Sequence, residues 1–291
     1  MVYMAGENDL EASVKNDLEK ELSVLGSNKD IQVLAFSDRK KGALLFRVNQ
    51  SMRDNARNAI VELGKQNTGN PQTLLQFVRW SKTNYPAEHY LLSFWGHGSG
   101  NKAMYDQGSD DSITNDELLG VLPDIGFIDV VAYDACYMAR INTAKLWHNH
   151  ATAISFSQES VSWNGIAYDK VIEDLRTNPD MSADDVARSL TRSTRGLENS
   201  WSAIAVDKRF EIFNSAFENW LQSTTDKKQK RVRQIEPNIR DLYQLAALSH
   251  NKASVQLIAA YNGIKLYEQH SKKYKGLHGL STEIPVNLQK P

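Results

Sequence analysis

Two stretches, YLLSFWGHGSG (90–100) and FIDVVAYDACYM (127–138), decide the fold. Each opens on near-continuous apolar residues, as a strand buried on both faces does, and each ends in polar or turn-forming sequence. Between them Asn115–Leu122 reads as a helix, with Thr114 capping it in the Thr-Asn-Asp-Glu pattern of a capping box. Strand, helix and strand at this spacing predict parallel neighbours joined by a right-handed crossover. Working outward, VYMAG (2–6), IQVLAF (31–36), ALLFRV (43–48) and ATAISFS (151–157) read as further strands. Helical patterns cover Asn8 to Leu25, Gln72–Asn84 and Asn142–His148. The alternation predicts an α/β fold with a mostly parallel central sheet. Beyond it, Ala183–Leu197, Lys208–Leu221, Lys228–Leu248 and Ala253–Glu268 read as helices, and HGLSTEIPV (278–286) as a short closing run. We therefore expect one domain over 1–291, with an α/β core over 1–207 and a mainly helical C-terminal region over 208–291 packed on it.

Composition narrows the function. The chain has 291 residues, 34 Lys+Arg against 35 Asp+Glu and a net charge of −1, which gives no reason to expect a nucleic-acid partner. The run Lys227–Arg233 reads as a solvated face. No apolar run approaches the roughly 18–20 residues of a membrane span. A single Cys excludes an intrachain disulfide and every multi-cysteine metal site. The opening VYMAG lacks the basic flank and longer apolar core of a signal peptide, so the compartment cannot be read from it.

In an open α/β sheet, ligands gather where the carboxyl ends of strands meet loops. His97 and Cys136, the only cysteine, each stand just past the end of a predicted central strand. A thiol with an ordinary pKa near 8.5 is only partly ionised at neutral pH, and an imidazole can take its proton and return it to a leaving amine. Glycines flank His97 and permit close approach of other backbone. The amides of Gly98 and Cys136 are then candidate donors to an oxyanion. Strand alternation sends Asp134 the same way as Cys136. A carboxylate there disfavours the thiolate and suits the floor of a pocket for a cationic side chain. The residues alone equally fit a turn-capping His97, a core Cys136 and a salt-bridged Asp134.

Four segments then carry a resemblance: VYMAGENDLE (2–11), NPQTLLQFVRWSKTNYPAEHYLLSFWGHGSG (70–100), VVAYDACYMA (130–139) and HGLSTEIPV (278–286). They resemble the clostripain-like cysteine peptidases, peptidase family C11, in the caspase-like clan with legumain and the gingipains. The resemblance implies a caspase-like three-layer sandwich, a His97/Cys136 dyad and Asp134 in the S1 pocket, with cleavage after Arg or Lys. It implies protein or peptide substrates and a secreted or cell-envelope setting; we expect a monomer. The chain departs from the family in the loop Ser160–Gly165. There neutral Asn164 takes the place of a second pocket carboxylate, leaving basic P1 preference to Asp134, with Asp169 or Glu159 as helpers. A non-catalytic peptide binder and a peptidase of non-basic preference are the rival readings.

No cofactor is expected. Calcium is weakly supported: Asp106, Asp110 and Glu117 match a calcium loop at three positions, but Gly108 and Asp111 break the pattern. An acidic surface loop is the better reading. Lys102, the single basic residue between His97 and Cys136, reads as part of an exposed polar loop, where self-cleavage at Lys102–Ala103 would fall.

Overall fold

A computed structural model describes residues 1–196, 200–223, 232 and 234–283. The strands include buried apolar runs such as Leu34–Ser37 and Ile128–Asp134, and more exposed ones such as Val61–Gly64. In chain order these are β1 (Val2–Met4), β2 (Leu34–Ser37), β3 (Ala43–Arg47), β4 (Val61–Gly64), β5 (Leu91–Trp95), β6 (Lys102–Asp106) and β7 (Asp111–Thr114). They continue with β8 (Ile128–Asp134), β9 (Ala151–Ser157), β10 (Ser200–Ala205), β11 (Gln234–Glu236), β12 (Ile239–Asp241), β13 (Lys265–His270) and β14 (Ser281–Glu283). Nine of them form one sheet in the order β13-β10-β9-β8-β5-β1-β2-β3-β4. The five central strands, β9, β8, β5, β1 and β2, run parallel, and both flanks turn antiparallel. The expected parallel centre is present.

Alternate residues of each strand feed separate cores, as the pleat requires. Tyr3, Phe94 and Tyr133 face one layer of helices, including Pro71–Asn84, Asn115–Ile125 and Ile141–Trp147. Met4, Trp95 and Ala132 face the other, which holds Tyr168–Thr177 and Ala183–Arg192. Helix starts follow the sequence: Asn70 accepts from the Gln72 amide ahead of Pro71, and Thr114 and Glu117 make the full capping box. Together these form a three-layer α/β sandwich.

Three helical readings need correction. The stretch 8–25 begins as a loop, becomes helical at Glu11–Asp17, widens into a π-turn at Leu18–Leu22 and closes at Ser23–Leu25. The stretch 253–268 is helical only to Ile264; Lys265–His270 pairs antiparallel with β10, so the C-terminal region supplies an edge strand to the main sheet. Among the described residues of 228–248, helix begins only at Leu242, in the helix Leu242–Ser249 started by the Asp241 carboxylate accepting from the Gln244 amide. Residues 227–231, 233, 284–286 and Leu197, which fall within stretches read from the sequence, lie outside the described residues. The strands β4 and β10 and the helix Tyr168–Thr177 were not expected at all. A small sheet, β11-β12-β14, stands beside the turn that follows β8: Ser281 bridges Arg140, and its amide donates to the Ala139 carbonyl at 2.9 Å.

Candidate active site

The register of β5 against β8 brings the predicted pair together. Trp95 lies opposite Asp134, so His97 and Cys136 each stand two residues beyond the last paired position of adjacent parallel strands. The two turns touch. A Cβ on Gly98 would sit 2.7 Å from the Cys136 carbonyl oxygen and 2.9 Å from the Ala135 methyl, contacts that only glycine permits. The Gly96 amide donates to the Asp134 carbonyl at 3.2 Å. Past the cysteine, Tyr137 turns the chain in the left-handed region at φ 62°, its amide donating to the Glu159 carbonyl. Such strain in a non-glycine residue gathers at functional sites.

The Cys136 thiol is half-buried and accepts from the Val161 amide at 3.2 Å. Burial pushes its pKa up, the nearby Asp134 adds to this, and the Val161 amide works against both. Left to itself, it is a thiol at neutral pH. Gly98 and Ala103 form an antiparallel bridge in which the hydrogen bonds run from the Ser99 and Met104 amides, so the Gly98 amide is spared. Among the described residues neither the Gly98 nor the Cys136 amide donates to a protein acceptor.

Asp134 is buried, and its Oδ2 accepts from the Ile166 amide at 3.0 Å and the Tyr168 hydroxyl at 3.2 Å. Among the described residues Oδ1 has no hydrogen bond. Burial, with the charge of Asp17 behind it, pushes this carboxyl up to about 7, against the pull of both donors. Asp134 and Cys136 thus face the same segment, 161–168, as strand alternation predicts. Asn164 is exposed; its neighbour Gly165, at φ 43°, is the residue that meets Asp134, where a Cβ would fall 2.6 Å from both carboxylate oxygens. Asp169 is not free to help, since it pairs with Arg195 at 2.5 Å. Glu159 is buried, and its carbonyl serves Tyr137.

Sequence reasoning missed two residues. Asp9, in the loop after β1, places Oδ1 2.6 Å from His97 Nε2. Strand β1 neighbours β5, so its carboxyl-end loop should have been searched alongside the other two. Arg140 is the second. Its guanidinium lies across Gly100, donates to the Ser99 carbonyl at 3.2 Å and pairs with Glu236 of β11. It fastens the return of the histidine loop to the turn after Cys136.

The calcium-loop reading scatters. Glu117 is spent on its capping box, while Asp106 turns inward to join Glu7 and Asp38. These three buried carboxylates, with one oxygen from each within 4.8 Å of the others, are the described group that could hold a cation. Burial and the two neighbouring acids push Asp38 up to about 7. Lys65 already pairs with Glu7, and the Thr68 and Ser109 amides donate to Asp106. Lys102 is not in a free loop: it opens β6 opposite Thr114, its carbonyl accepts from the Ser99 amide, and Ala103 is buried. Among the described residues no helix is long and apolar enough to cross a membrane.

A helix-flanked sheet with histidine and cysteine turns side by side at the carboxyl ends of adjacent parallel strands has the layout of the caspase-like cysteine peptidases. Within that class the chain belongs to the clostripain family, peptidase family C11, whose sequence model matches residues 2–289. It is similar to clostripain of Hathewaya histolytica, 23% identical over 227 residues, or 64% of this chain and 43% of the relative. The chain therefore spans less than half the length of that relative. It also resembles the structure of a secreted C11 cysteine protease from Bacteroides thetaiotaomicron in complex with an irreversible peptide inhibitor, with 18% identity, a TM-score of 0.79 and coverage of 99% of this chain and 92% of the other. An inactive zymogen C11 protease from Parabacteroides distasonis is similar at 17% identity, with the same TM-score of 0.79 and coverage of 99% and 92%. At these identities the likeness to solved structures establishes the fold.

Proposed function

We propose that this chain is a cysteine endopeptidase that cuts after Lys or Arg. The Cys136 proton passes to the His97 ring, and the thiolate attacks the scissile carbonyl carbon, forming an S–C bond. The Gly98 and Cys136 amides hold the oxyanion. As the C–N bond breaks, the imidazolium returns its proton to the leaving amine. Water, losing a proton to His97, then attacks the acyl carbon, and the thiol regains its proton as the S–C bond breaks. Asp134 receives the cationic P1 side chain through Oδ1, with Gly165 and exposed Asn164 forming the adjoining wall.

The observation that supports this reading best is the seating of the His97–Gly98 turn on Ala135–Cys136, with a buried carboxylate two residues before the thiol. A competing preference for an uncharged P1 residue is favoured by Asn164 and by the upward-shifted Asp134. Two peptidyl alkylating probes differing only at P1, Lys against Asn, separate the readings. Labelling of wild type but not Cys136→Ala by the Lys probe supports basic specificity; labelling by the Asn probe alone supports the neutral alternative. No labelling by either leaves a peptide-binding member without catalysis.

A further inference from the structure

We infer that Asp9 is the positioning residue of the histidine: its carboxylate holds His97 by Nε2 and leaves Nδ1 as the ring nitrogen that serves Cys136. This rests on the dyad proposed above and adds a third side chain to it. The contact is short, 2.6 Å between Nε2 and Oδ1, within the range of charge-assisted hydrogen bonds. Each imidazole nitrogen can carry one proton or accept one, so a carboxylate on Nε2 fixes that atom as the donor. The ring then meets the thiol through Nδ1, taking the proton there and passing it to the leaving amine from the same atom. As that proton arrives, the ring becomes a cation, and a carboxylate on its far side stabilises the charge where it forms.

The loop that carries Asp9 is built to hold it. The Ala5 amide donates to the Trp95 carbonyl, which ties the loop to the end of the strand that precedes His97. Buried Asn8 donates to the Ala5 and Tyr105 carbonyls and accepts from the Leu10 amide, so both neighbours of Asp9 are fixed. Gly6 packs where a Cβ would strike Val14 and the Asp38 carbonyl. Asp9 itself is exposed, its side chain at 67%, with no partner other than His97 among the described hydrogen bonds. A carboxylate in water gains little from such a pair, so its placement contributes little to folding. The hydrogen bond to His97 holds its pKa below the ordinary value, and the charge of Lys40 adds to this, which favours the charged form.

The test compares Asp9→Ala and Asp9→Asn with His97→Ala and Cys136→Ala, all on one lysyl peptide amide, with melting temperatures measured in parallel. Asp9→Ala is expected to lower kcat about ten- to a hundredfold, the value of a charge-assisted hydrogen bond, while KM moves less than about twofold. Asp9→Asn keeps an acceptor for Nε2 without the charge and should recover part of that loss. Both variants should melt with the wild type. Wild-type kcat in Asp9→Ala, or a loss of activity that follows a fall in melting temperature, overturns the inference while the dyad stands. Turnover by Cys136→Ala or His97→Ala overturns the dyad itself, and Asp9 with it.

Discussion

Replacing Gly98 with alanine tests whether contact between the two turns makes the site. The added methyl would lie 2.7 Å from the Cys136 carbonyl oxygen, 2.9 Å from the Ala135 methyl and 3.0 Å from the Met138 sulfur. The oxygen belongs to backbone and cannot swing aside, so the histidine loop must retreat by about 0.7 Å to regain ordinary contact. Reacting atoms work within about 3–3.5 Å, and a misplacement of about 1 Å costs roughly a hundredfold. We expect kcat/KM on a lysyl amide to fall about 10- to 100-fold. Alanine keeps its amide hydrogen, so the loss would reflect geometry rather than a missing oxyanion donor. Overpacking costs about 1–3 kcal/mol, so rates should be measured well below the melting transition. Gly120→Ala is the control: nothing lies within 4 Å of the new methyl, and in the helix Asn115–Ile125 it should stabilise by about 0.5–1 kcal/mol with unchanged rate. A Gly98→Ala enzyme with the wild-type kcat/KM would refute the reasoning.

Asp134→Asn should lower kcat/KM for basic P1 substrates about 10- to 100-fold and leave neutral ones nearly unchanged, since a charge-assisted bond of about 1.5–3 kcal/mol is lost; equal losses on both would assign Asp134 to the fold. Burial raises Asp17 to about 6, Asp38 and Asp134 to about 7 and Glu21 to about 8, so between about pH 4 and 8 the folded chain holds more protons than the unfolded one. Stability must therefore fall as pH rises through this window. Melting scans across it should show the decline, less steep in Asp134→Asn, and a rise instead would contradict the burial argument. Because Lys102 is paired within β6, intact-mass analysis of active enzyme should find the Lys102–Ala103 bond uncut; a 1–102 fragment appearing with activity would show that the hairpin opens.

The centre of the sheet was legible because β5, β8 and β9 are continuous apolar runs, and the proposed pair His97 and Cys136 could be singled out because both stand where such strands end. Strand β10, SWSAIA, alternates too weakly to announce itself, and β13 was hidden because Lys265–His270 continues a helical pattern. Its pairing with β10 overrides that local preference, a tertiary effect no window of sequence contains. Asp134 could be named but not its surroundings: the lid of Gly165, Ile166 and Tyr168 comes from more than 30 residues downstream. Asp9 was in view within VYMAGENDLE, yet its approach to His97 depends on β1 lying beside β5.

The bond between Arg140 and Glu236 also sets a clock on synthesis. Domains emerge amino-terminus first, and by the time Trp147 has left the ribosome both dyad side chains are out. At that moment the guanidinium beneath Gly100 has no counter-charge, and the turn after Cys136 lacks the strand whose Ser281 amide fastens Ala139. A buried cation without its carboxylate is costly, so the histidine and cysteine loops gain their final seating only when β11, β12 and β14 dock. On the proposed reading the turns that carry His97 and Cys136 are thus braced by residues 236 and 281, a hundred or more positions downstream.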